Sequence, residues 1–259
     1  MPFRTLLRAV LGAMFICGLH LTPAQAQPFQ YVATTGSDAG ICGTITSPCR
    51  TFQRMHDLAG AGFTIVALDS GDFNAVTITK SIAIVARGVA ATGWSGANTK
   101  IAINAGANDV IHIDGLRLGR NMPAGDNSGI QFNSGGRLHV RNCTIRNFAT
   151  AGIFVRGGGT KRVFISDCTI ANNFHGVFVK PAGAGGSRVQ LDRVRIEGNS
   201  GHGIRAVGSK AIVRISNSTI ANNNRGLSAA NDGKIVSFGN NVLIDNTANG
   251  APTSTIALK

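Results

Sequence analysis

A motif returns along this chain every 25 residues or so, and that period narrows the possible folds more than any other feature. Val163, Ile165, Cys168, Ile170 and Asn173 lead to Gly176 and Val177. The same order appears at Leu138, Val140, Cys143, Ile145 and Asn147 before Gly152 and Ile153. It appears again at Val189, Leu191, Val194, Ile196 and Asn199 before Gly203 and Ile204, and at Val213, Ile215, Ser218, Ile220 and Asn223 before Gly226 and Leu227. Ile111, Ile113, Leu116 and Leu118 begin an earlier copy, and Val236, Phe238 and Leu243 a later, degraded one. Each copy reads as three short strands of alternating polarity separated by Asn- and Gly-rich turns. Such strands cannot bury their apolar faces alone, so the copies must stack. A coil of this length without a helical segment predicts a parallel β-helix of about eight coils spaced ~4.8 Å apart. The Leu-x-x-Leu-x-Leu pattern of a leucine-rich repeat is absent. Asn173, Asn199, Asn223 and Asn246 fall in one column, where stacked amides can bond to the coils above and below.

Composition agrees with an all-β chain. The 259 residues include 34 Gly and 43% hydrophobic residues, and only 14% are charged. Glu197 is the sole glutamate, whereas a helical protein needs many charged helix formers on its solvated faces. Before the repeats, Pro48 to Gln53 leads into a short amphipathic helix ending at Leu58, followed by a strand from Gly62 to Ala67. That helix is expected to cap the open end of the stack.

Residues 1–26 read as a secretory signal: Arg4 and Arg8 precede an apolar run from Ala9 to Leu21, and Ala24 to Ala26 form a small-residue cleavage site. Cys17 follows Ile16, not the small residue of a lipoprotein signal. The expected mature domain is 27–259, a β-helix with its cap at about 31–62, exported to the periplasm or cell exterior. No second apolar run approaches the ~20 residues of a membrane span. The formal net charge is +13, and removing the two signal arginines leaves the mature chain at about +11.

With its opening "PCRTFQRMHDLAGAGFTIVALDSGDF" and its coils "CTIANNFHGVFV" and "STIANNNRGLSA", the chain from about Tyr31 to Lys259 resembles the secreted right-handed parallel β-helix proteins of the pectin lyase-like superfamily. The resemblance implies an exported protein that binds or acts on polysaccharide. The fold hosts lyases, hydrolases, epimerases and non-catalytic binders, so activity has to be argued from the site. Ser200 to Ile204 looks like the Gly-His-Gly segment of polygalacturonases, but the paired carboxylates such hydrolases need are not nearby.

β-Elimination from a uronate needs a base for the C5 proton and positive charge for the carboxylate. The column before each strand-opening glycine runs Ala151, His175, His202 and Arg225. With Arg205, the last three are the candidate catalytic residues. Arg156 and Lys180 extend the basic stripe as candidate substrate-binding residues. The alternative is a solvated turn column with no activity. Phe154 and Phe178 are expected outside, with Phe164 outside on another strand, either as stacking surfaces for sugar or covered by the loop Pro181 to Ser187. The expected partner is acidic polysaccharide, cleaved by β-elimination or merely bound; a non-catalytic structural or surface-interaction β-helix is the other reading.

No cofactor or metal is expected. Asp109 and Asp114 lie close in sequence, as do Asp69 and Asp72, but neither pair has a third acidic neighbour, so Ca²⁺ would need backbone and Asn oxygens. Asp69 and Asp72 are expected to bond their own turn. Cys42 and Cys49 close a short loop, and an oxidising compartment predicts a disulfide. Cys143 and Cys168 share an inward column and are expected as reduced, buried small hydrophobes. The basic charge is scattered rather than gathered in a run, and with the export signal this argues against nucleic acid.

Overall fold

The computed structural model describes residues 28–92, 99–119 and 127–257. The expected signal with Cys17 lies outside these residues. The chain winds as a right-handed solenoid of three parallel sheets with ten, seven and eight strands. In one coil, Lys161–Ser166 lies in the ten-stranded sheet, Thr169–Ala171 in the eight-stranded sheet and His175–Pro181 in the seven-stranded sheet. Ser187–Asp192 then returns beside Lys161–Ser166, one coil on. There are about six regular turns, slightly fewer than the eight expected. Nearest the cap, the coils are pinched to the two-residue strands Gly71–Asp72 and Ala91–Thr92 on one side.

The interior is made of aligned apolar columns. Ile111, Leu138, Val163, Val189, Val213 and Ile235 are successive partners in the ten-stranded sheet, each at most 1% exposed. Burying one such side chain contributes about 1.5–3 kcal/mol. The last copy starts at Ile235, one residue earlier than the sequence suggested, and Val236 pairs with Arg214 instead. Two adjacent apolar residues leave the register open in sequence; Thr253 closes it by bonding both the N–H and the carbonyl of Ile235.

The corners explain the Asn-rich turns. Asn142, Asp167, Arg193 and Asn217 occupy equivalent corners with φ of 53°, 55°, 51° and 49°, a left-handed conformation that Asn and Asp tolerate. At the next corner the asparagine column forms as expected. The side-chain amides of Asn173, Asn199 and Asn223 donate to the Oδ1 of the next rung at 3.1, 2.8 and 2.9 Å. Those same oxygens accept the backbone N–H groups of Asn173, Asn199 and Asn223. Directly after this corner a Cβ at Gly203 would stand 2.8 Å from both the Gly226 carbonyl oxygen and Ile220 Cγ2, and the same crowding at Gly129, Gly152, Gly176 and Gly226 explains why these coils open the strand with glycine.

The cap helix is Phe52–Leu58, started by Thr51, whose hydroxyl accepts the Arg54 N–H. Phe52 and Met55 are buried on the end of the stack, and the Phe52 ring lies 5.0 Å from that of Phe73. Cys42 and Cys49 form the expected disulfide. Among the described residues no helix is long and apolar enough to cross a membrane.

Candidate functional site

The stripe lies on the outer face of the seven-stranded sheet. His202 pairs with Arg225, and the rings of His175 and His202 meet edge to face with centroids 4.9 Å apart. Stacking therefore brings the three together, but in unequal environments. His175 is 3% exposed, under Phe174, Phe178 and His202, with ring centroids 4.4, 5.0 and 4.9 Å away. Its Nδ1 accepts the His202 backbone N–H at 3.2 Å. Burial, helped by the nearby His202 and Arg205, lowers its pKa to about 4, so the ring is neutral at pH 7. His202 is half-buried. Burial first, then Arg205 and Arg225, hold its pKa below the usual histidine value. Its Nδ1 and the Nε of Arg205 are covered and have no hydrogen-bond partner.

Phe154 and Phe178 point outward, as the alternation required, and stack face to face with centroids 4.6 Å apart and planes 2° from parallel. They also carry cations: the guanidinium carbon of Arg156 lies 5.3 Å from the Phe154 centroid, and that of Arg205 lies 5.6 Å from the Phe178 centroid. With Phe154 only 8% exposed, its ring supports this row and is not an open platform. The register separates the basic residues into two columns. Arg156 pairs with Lys180, whereas Arg205 pairs with Phe178. Counting from the strand-opening glycine explains this: Arg205 stands where Phe178 does, two residues after it. Arg156, Lys180 and Arg225 are exposed and Arg205 half-buried. None of the four has a carboxylate partner among the described residues.

The carboxylates are occupied elsewhere. Asp69 accepts the backbone N–H and the hydroxyl of Thr34, 35 residues away, rather than its own turn. Asp72 does bond locally, to the Asn74 N–H. Asp109 accepts from Ser81 and Gly106, which lowers its pKa. Asp114 is held by Arg87, Arg141 and Asn142. Asp38, Cys42 and Cys49 lie within metal-ligating reach of one another, but both sulfurs are in the disulfide. Asp38 already receives the N–H groups of Arg50 and Thr51. Cys143 and Cys168 are free and buried. The hydrogen bond between the two thiols, reinforced by burial, pushes Cys143 up.

On the outer face of the ten-stranded sheet the sequence pattern pointed only to Phe164, which lies there as expected. There Arg137, Arg162 and Arg188 are successive partners. Two residues along, His112, His139, Phe164, Gln190 and Arg214 form a second column. The three rings stack at 4.6 and 4.9 Å with planes 12° apart. The residues next to the aligned apolar positions Leu138, Val163 and Val189 carry the signal for both columns.

Residues 99–255, more than half of the chain, match the family described as right handed beta helix region. Among solved structures, the crystal structure of pectate lyase Pel9A is similar, with 14% identity and a TM-score of 0.58 over 90% of this chain and 79% of that one. At that identity the likeness concerns the fold. No curated protein matches the sequence.

Proposed function

The chain belongs to the right-handed β-helix family, and from that premise we propose that it is an exported protein that recognises acidic polysaccharide along the outer face of its seven-stranded sheet. One observation carries this reading: Arg156, Lys180, Arg205 and Arg225 line that face with no carboxylate partner among the described residues. Charges left unpaired on a rigid sheet are ready for an anionic ligand, and guanidinium groups bind carboxylates in bidentate fashion. The likeness to a pectate lyase supports polysaccharide as the ligand, and the Cys42–Cys49 disulfide suits an exported protein.

Cleavage by β-elimination is the finer proposal. The neutral imidazole of His202 takes the C5 proton, Arg205 and Arg225 neutralise the uronate carboxylate, and the electron pair left on carbon forms the double bond as the C4 oxygen departs. His175 acts beneath it, fixing the His202 backbone through its Nδ1. The burial of His175 favours the second reading, a non-catalytic binder, because only one of the two imidazoles is open to a substrate. Incubation with polygalacturonate and other polyuronates, read by the ultraviolet absorbance of an unsaturated uronate, separates the two. Turnover lost in His202→Ala and Arg205→Gln establishes the lyase. Binding without turnover, lost in Arg205→Gln and Arg225→Gln, establishes the binder. No binding by correctly folded protein overturns both.

A further inference from the structure

On the ten-stranded sheet a groove of about 340 Å³ opens beside Phe164, lined by Arg162, Arg188, Arg214 and Gln190 over the edges of Val163 and Val189. It lies on a different sheet from the stripe and shares no residue with it. Arg162 and Arg188 are partners on adjacent strands, and Arg214 reaches the groove from the third strand as the partner of Gln190. One face of the Phe164 ring is covered by His139. The next position along its column is Gln190, whose flat amide replaces a ring.

The charge balance of the groove is one-sided. Among the described residues no carboxylate pairs with Arg162, Arg188 or Arg214. Asp192, on the same strand as Arg188, already binds Arg193, Ser216 and Asn217. A single carboxylate fills one guanidinium fork and would leave two cations unanswered. A sulfate or phosphate ester offers three terminal oxygens in three directions and can meet forks arriving from different coils. An aromatic ring at the edge of the same groove suits the apolar face of a sugar.

We propose that this groove binds a sugar bearing a tetrahedral oxyanion ester, with the ring against Phe164 and the ester among Arg162, Arg188 and Arg214. The site is independent of the stripe on the seven-stranded sheet. The test is calorimetric titration of the full chain with a sulfated heparin oligosaccharide, a phosphorylated mannan oligosaccharide and an unsulfated oligogalacturonate of equal length. One of the two ester-bearing probes should bind at least about tenfold more tightly than the oligogalacturonate, and which one does so identifies the ester. Arg188→Gln should weaken that probe by about tenfold or more and leave oligogalacturonate binding unchanged. Phe164→Ala, at a partly exposed position, provides a second variant and should weaken it several-fold. Arg205→Gln on the other sheet should leave the ester probe unaffected, so a failed stripe and a failed groove give different results. The proposal is overturned if neither ester probe binds, if Arg188→Gln weakens the oligogalacturonate as much as the ester probe, or if Arg188→Gln and Phe164→Ala keep full affinity while folded. Displacement of the ester probe by a single-stranded oligonucleotide in an Arg188-dependent manner would make this a nucleic-acid surface and also overturn it.

Discussion

The His202 backbone N–H points at the Nδ1 of His175, 3.2 Å away on the neighbouring coil. In the neutral ring the proton therefore sits on Nε2, and protonating Nδ1 would set one N–H against another. The folded pKa, about 4, lies below the unfolded value of about 6.5. The unfolded state thus binds the extra proton first as pH falls. The stability due to this group is complete above about pH 6.5 and is lost progressively towards about pH 4. Denaturant unfolding across that window should show falling stability, with a shallower slope in His175→Gln. Equal slopes in the two proteins would refute the assignment. His112, His139 and His202, whose pKa values are also lowered chiefly by burial, add to the wild-type slope in the same direction.

Asn199 is a central rung. Its Oδ1 accepts from the backbone and the side chain of Asn173, and its Nδ2 donates to Asn223. Asn199→Ala leaves several of these buried groups unpaired and should cost about 3 kcal/mol. The same change at the terminal, half-buried Asn246 should cost clearly less. Comparison of the two melting temperatures checks this ordering.

Gly203→Ala inserts a methyl 2.8 Å from a backbone carbonyl of the next coil. The backbone cannot yield there without shifting the whole coil, so a loss of about 2 kcal/mol or more is expected. Gly40→Ala, with open space around it, meets only the strain of its positive φ and should cost about 1 kcal/mol. Denaturant midpoints of the two variants provide the comparison.

Cys143 and Cys168 should not react with an aromatic disulfide reagent in the folded protein and should titrate as two thiols after denaturation. Rapid labelling of either under native conditions would show that the coils around them open.

The fold was legible because a repeat exposes its own register: Asn173, Asn199, Asn223 and Asn246 align by eye and align in space. The unequal fates of His175 and His202 were not legible. They stand at equivalent positions, and the difference comes from Phe174 and Phe178, whose places in the following coil are taken by Gly201 and Arg205. Arg205 carries the same charge as Arg156 and Lys180 but stands two residues after its glycine where they stand four, so charge alone does not give its column. The Arg162–Arg188 face is harder to read because the repeat is defined by the inward apolar positions of that strand, and the outward positions between them vary from His to Phe, Gln and Arg. Asp69 shows a further limit, since its partner Thr34 lies in the cap, outside the repeating pattern.

The amide column also determines how the protein can change in length. From Asn173 to Asn223 each rung accepts from the coil before it and donates to the coil after it, so at this corner these coils offer their neighbours the same upper and lower surfaces. Duplicating or deleting one unit of about 25 residues among them therefore leaves the amide joints at this corner intact. The solenoid behaves as a ruler whose graduations can be added one at a time, and a longer descendant would present more of the same exterior without any redesign of its interior.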